Sequence, residues 1–131
     1  MERNNMSTKQ WIPVIAVVIA LLDLTPVYSH GVAKPMHGGI VQVVNDLSFE
    51  LVIEMDGVTI YLLDHGKPMA VKGITGKLTV LQGDNKMDVD LKEGGDNKLR
   101  ALGVKLGKGD KVVATLSNVA GKTTTVRFVA K

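Results

Sequence analysis

Leu47-Ser48-Phe49-Glu50-Leu51-Val52-Ile53-Glu54-Met55-Asp56-Gly57-Val58-Thr59-Ile60-Tyr61-Leu62 alternates apolar and polar side chains on both sides of an Asp-Gly pair. Successive side chains of a strand point to opposite faces, so a period of two marks a strand with one buried face. Leu47, Phe49, Leu51, Ile53 and Met55 share the face expected inside, while Ser48, Glu50 and Glu54 fall on the solvated face. Asp56-Gly57 suits a tight hairpin turn. Val58, Ile60 and Leu62 then resume the inward face, with Thr59 and Tyr61 outward. Asp64-His65-Gly66-Lys67-Pro68 follows as a loop.

The same grammar extends along the chain. Lys77 to Leu81 pairs with Met87 to Leu91 through Gly83-Asp84-Asn85, and Gly94-Gly95-Asp96-Asn97 breaks the run before a short strand at Lys98 to Leu102. Lys111 to Ser117 and Thr123 to Ala130 form a terminal hairpin around Asn118 to Gly121, with Val126, Phe128 and Ala130 inward. Gly38 to Val44 supplies a first strand. No segment beyond residue 29 carries a sustained apolar stripe of period 3.6, so no helix of length is expected. About seven to nine short strands with frequent glycine turns predict an all-β domain, an antiparallel β-sandwich of immunoglobulin-like or cupredoxin-like Greek-key type, with a small barrel as the second architecture.

Ahead of this domain the composition changes. Trp11 to Leu24 is apolar except for breaks such as Pro13 and Asp23, and it follows a weakly positive stretch with Arg3 and Lys9 against Glu2. The run is shorter than the roughly 20 apolar residues of a membrane span. With Val27 and Ser29 at −3 and −1, it predicts a signal peptide over 1–29 and a periplasmic or otherwise exported protein. A cut after Ala33, with Gly31 at −3, and an uncleaved anchor are the competing readings. Residues 30–38 are expected to form a flexible or extended arm, because Lys34-Pro35 disfavours helix. Residues 39–131 form the domain. Losing 1–29 removes Arg3, Lys9, Glu2 and Asp23 together, so the net charge stays at +3. The remaining charges are interspersed, and few aromatics remain, which argues against a nucleic-acid partner. With no cysteine the chain has neither a disulfide framework nor a thiolate.

Catalytic patterns are missing. Beyond residue 29 the serines are Ser48 and Ser117, both in or beside strands, without a nucleophile-elbow glycine pattern. Neither a phosphate loop nor a His-Glu-x-x-His motif occurs, so the chain is not expected to be an enzyme. Its chemistry-bearing set is His30, Met36, His37, His65 and Met69. Imidazole binds copper, zinc and nickel, and thioether favours Cu(I). Cleavage after Ser29 would make His30 the first residue, where its α-amine and Nδ1 chelate one ion. His37 or His65 would add a nitrogen, with Asp64 or a methionine completing the set. The bland alternatives are a solvated turn at His37-Gly38-Gly39, an ordinary connection at Asp64-His65-Gly66, and Met55 and Met69 as core fillers.

Met36-His37-Gly38-Gly39, Phe49-Glu50-Leu51-Val52, Val58 to Pro68, Gly73 to Leu81, Gly95 to Leu99 and Lys108 to Val113 together resemble a family of small exported bacterial proteins. They also resemble a related N-terminal module of periplasmic adaptor proteins in heavy-metal efflux systems. The resemblance implies an envelope location, a metal-efflux or copper-tolerance context and an efflux component as partner. It implies no catalytic residues. The expectation is therefore an exported copper-binding or copper-tolerance protein using His30, His37 and His65, with Met36 and Met69 as soft auxiliaries. The alternative is a non-metal interaction module that docks through a sheet edge or loop rim.

Overall fold

The structure, a computed structural model, describes residues 33–131. The expected signal segment, its cleavage site after Ser29 and His30 lie outside the described residues. Nine strands follow in order: β1 (Ile40–Val44), β2 (Leu47–Glu54), β3 (Gly57–Asp64), β4 (Lys67–Pro68), β5 (Thr75–Gln82), β6 (Asn85–Gly95), β7 (Lys98–Leu102), β8 (Lys111–Val119) and β9 (Lys122–Val129). All pairings are antiparallel, and the described residues contain no helix, as the period-two patterning requires.

The strands follow one path, β1-β2-β3-β7-β6-β5-β8-β9, with the two-residue β4 beside β3. β5, β6 and β7 run as neighbours, and β8 returns to lie beside β5, which is the Greek-key connection. β6 serves two sheets. Its first half pairs with β5, from Gln82↔Asn85 to Gly76↔Leu91, and its second half pairs with β7 through Lys92↔Arg100 and Glu93↔Leu99. The long strand thus turns the corner between the two layers, and a bulge between Glu93 and Gly95 adds local bend. β1 and β9, the two ends of the path, approach each other, so the sheet nearly closes.

The core lies inside this fold. Phe49, Leu51, Val58, Ile60, Leu62 and Leu99 from β2, β3 and β7 join Leu78, Val80, Val112, Ala114, Leu116, Val126 and Phe128 from β5, β8 and β9 and Leu91 from β6 in one core. Each large side chain contributes about 1.5–3 kcal/mol by leaving water. Val71, Ile74 and Val104 from the connections plug the open ends. The inward assignments of Val126, Phe128 and Ala130 hold, as do the β5–β6 hairpin and the span of β7.

Three side-chain assignments are corrected. Ile53 and Met55 do not share the core; Met55 stands fully in solvent at the β2–β3 turn, and Ile53 lies beyond Leu51, the last residue of β2 that β1 covers. Thr59 faces outward as expected yet is buried, and its hydroxyl donates to Glu54 at 3.0 Å. Glu50, expected on a solvated face, is completely buried. The terminal hairpin turns at Ala120-Gly121, and β8 extends to Val119 through a bulge after Leu116.

Candidate functional site

Glu50 is on the outer face of β2, opposite the face that presents Phe49 and Leu51 to the core. What covers it is the segment leading into β1. Its carboxylate accepts the backbone N–H of Met36 (3.0 Å) and, through its other oxygen, those of His37 (2.8 Å) and Gly39 (2.9 Å). The His37 imidazole adds a fourth contact, Nδ1 to Oε2 at 3.0 Å. Burial pushes the Glu50 carboxyl up. The donors outweigh it, led by the Gly39 amide and the His37 imidazole, and hold the carboxyl below its ordinary value. Gly39 is required by close approach: a Cβ there would collide with the Leu51 carbonyl and lie 2.9 Å from Val52 Cγ2. Residues 36–38 of the expected arm, with Gly39, are thus strapped onto β2.

Register sets the rest of the site. Glu50 pairs with Tyr61, and Tyr61 pairs with Lys98, giving one row across β2, β3 and β7. The His37 ring stacks on Tyr61, and the Lys98 ammonium stands 5.9 Å from the centre of the same phenol ring. Because a carboxylate can only accept, His37 donates from Nδ1, and the lone pair of the neutral ring is then the one on Nε2. The imidazole is therefore fixed in tautomer by Glu50 and in plane by Tyr61. Met36, beside it, is 63% exposed.

The other predicted ligands lie elsewhere. His65 is in the two-residue turn between β3 and β4, with positive φ at both His65 and Gly66. Its Nδ1 contacts Asp64, and the ring is largely in solvent. Asp64 stands three residues along β3 from Tyr61, about 10 Å at the rise of a strand. The two histidines, expected at one rim, thus neighbour positions three residues apart on β3, His37 bound to Glu50 and His65 to Asp64. Met69 packs against the core, and its N–H donates to the Leu62 carbonyl. Among the described residues, no three His, Asp or Glu side chains gather around one ion-sized position.

Sequence patterning missed Glu50, Tyr61 and Lys98. Alternation shows which residues leave the core, but it carries no information about what covers the outer face. One signal was available: a carboxylate and a tyrosine at facing positions of a hairpin, with a His-Gly-Gly run upstream. No family model, curated protein or solved structure matches the chain.

Proposed function

We propose that the protein is an exported transition-metal binder, with copper as the first candidate ion, which buffers the metal or passes it to an envelope efflux component. The observation that carries the reading is the anchored His37 imidazole. A ligating histidine is commonly held by a carboxylate on its other ring nitrogen, which fixes the ring and makes the free nitrogen more basic. Glu50 stands in that relation to His37, and Nε2 is the nitrogen left for an ion. Met36 offers a thioether from the adjacent residue, suited to Cu(I), while imidazole suits Cu(II). His30, seven residues upstream, would add its imidazole, and its α-amine as well when the cut follows Ser29. His65 and Met69 are not part of this ligand group.

Copper titration of the full chain, as the expressing cell processes it, tests the reading by calorimetry and tyrosine emission. His37→Ala is expected to weaken Cu(II) binding at least tenfold, and His65→Ala to leave it unchanged. Equal binding by wild type and His37→Ala would remove the site. Intact mass fixes the first residue, and His30→Ala then separates the terminal chelate from His37.

A further inference from the structure

Asp-Gly occurs once in the sequence, at Asp56-Gly57, and Asn-Gly does not occur. The pair sits in the β2–β3 hairpin, where Met55 and Asp56 form the turn and Glu54 pairs with Gly57. An aspartate followed by glycine is chemically labile, because no side chain shields the glycine nitrogen from the aspartyl carboxyl. The fold leaves no alternative to glycine here. Gly57 has φ of 156°, and a Cβ on it would lie 2.2 Å from the Ala101 carbonyl oxygen of β7. A side chain that would slow the reaction therefore cannot be accommodated.

The strand that imposes this glycine also restrains it. Arg100 on β7 donates from Nη2 to both oxygens of the Asp56 carboxylate, at 2.9 and 3.0 Å, and to Glu54 Oε2 at 3.0 Å. The Arg100 stem lies across Gly94, where a Cβ would come within 2.4 Å of its Cγ. Gly103, just after β7, donates its N–H to the Asp56 carbonyl at 2.9 Å. Because Glu54 and Gly57 close the two-residue turn, the Gly57 N–H donates to the Glu54 carbonyl. Bringing the Asp56 carboxyl carbon onto the Gly57 nitrogen requires rotation about the Cα–Cβ and Cα–C bonds of Asp56. The first rotation breaks the Arg100 contacts, and the second breaks the two backbone bonds. Burial offers no protection, since the Asp56 side chain is 64% exposed.

We infer that Asp56-Gly57 is a site of isomerisation to isoaspartate, and that Arg100 is the residue holding it in check. In the reaction the Gly57 nitrogen bonds to the Asp56 side-chain carboxyl carbon. One carboxyl oxygen leaves as water with the amide proton, and a five-membered succinimide forms. Water then opens the ring at either carbonyl. Attack at the main-chain carbonyl leaves the backbone running through the Asp56 Cβ, with the α-carboxylate pendant. One water lost and one gained leave the mass unchanged. The isoaspartyl turn is one backbone atom longer, so its carboxylate no longer meets Arg100 in the native geometry. The inference does not rest on metal binding.

The test incubates the full chain, as the expressing cell processes it, at neutral pH for weeks. Isoaspartate is located by peptide mapping with electron-transfer fragmentation and quantified with isoaspartyl methyltransferase. Folded wild type is expected to accumulate it at residue 56 at least tenfold more slowly than the same chain in urea. Arg100→Met keeps the stem over Gly94 and deletes the donors, and at least fivefold faster accumulation is expected while circular dichroism stays native. Arg100→Lys keeps the charge without the fork, and it supplies the comparison if Arg100→Met does not fold. Glu54→Gln weakens the other partner of Arg100 but leaves the Asp56 contacts, so its rate should stay near wild type. Equal rates in wild type and the folded Arg100 variant would overturn the proposal. So would accumulation in folded wild type as fast as in urea, or a Glu54→Gln rate matching that of Arg100→Met, which would assign the effect to lost stability.

Discussion

The His37 ring lies flat on Tyr61, with centroids 3.7 Å apart and planes inclined by 5°. Thirteen residues after the histidine, Glu50 holds the same imidazole by Nδ1, so one ring is fixed by two adjacent strands. Tyr61→Leu keeps an apolar side chain on β3 but removes the stack. Aromatic pairs contribute about 0.5–1.5 kcal/mol beyond their buried area, and a loss of that size is expected in urea unfolding. Full wild-type stability in Tyr61→Leu would mean that the stack contributes nothing.

Tyr61 also provides an optical probe. Cleavage after Ser29 removes Trp11 and Tyr28, which leaves Tyr61 as the one aromatic side chain of its kind in the processed chain. Its emission is expected to fall when Cu(II) occupies His37 and to be insensitive to Cu(II) in His37→Ala. Equal quenching in both proteins would place the ion elsewhere.

Glu50→Gln keeps the shape of the side chain and deletes its charge. An amide has one acceptor oxygen and turns an NH2 toward donors, so the contacts from Met36, His37 and Gly39 cannot all survive. Hydrogen bonds to a charged group contribute about 1.5–3 kcal/mol, and a loss of about 2–3 kcal/mol is expected. Native-state hydrogen exchange should quicken at the Met36, His37 and Gly39 amides. Exchange as slow as in wild type would show that the strap is held by something other than Glu50.

The same carboxylate gives a pH dependence with a defined sign. Its folded pKa lies below the ordinary carboxylate value, so its contribution is complete above the unfolded pKa, about 4.3. It is lost as pH falls through the lower folded value, because the unfolded chain takes up the proton first. Wild type should therefore approach Glu50→Gln in stability below about pH 4. A stability gap that stays constant down to pH 2 would contradict this.

Ala120 has φ of 48° in the β8–β9 turn, a left-handed conformation that disfavours a side chain with no polar group. Asn tolerates this region, so Ala120→Asn is expected to raise stability by about 0.5–1 kcal/mol. Thermal unfolding would register the gain as a higher Tm, and a lowered Tm would refute the assignment of strain.

How much of this was legible depended on where each signal lay along the chain. Phe49, Leu51, Val58, Ile60 and Leu62 announce their strands because the side chains that bury them obey a local period. Asp56-Gly57 and Gly83-Asp84-Asn85 mark hairpins for the same local reason. The cover over Glu50 arises from Met36 to Gly39, beyond any window of alternation, so an acidic residue at an outward position reads as solvated. Ile53 and Met55 fail for the opposite reason: the alternation continues past Leu51, where β1 ends, and into the turn. His37 and His65 were legible as chemistry-bearing residues, but their separation is set by the length of β3 and by which end of it each loop occupies.

The order of strands has a consequence for how the chain acquires its shape. β1, β2 and β3 are complete at Asp64, yet the free edge of β3, apart from the end that the two-residue β4 covers, is met only by β7 from Lys98 onward, and β5 waits for β8 from Lys111. Closure of the sheet waits for β9. Loop closure over such separations slows folding relative to local pairing. A nascent chain that has emerged only to residue 97 therefore carries two half-built ribbons with unmatched apolar faces, Phe49 and Ile60 on one, Leu78 and Val80 on the other. That interval, rather than the finished protein, is when the sequence is most exposed to aggregation and most in need of a holding chaperone.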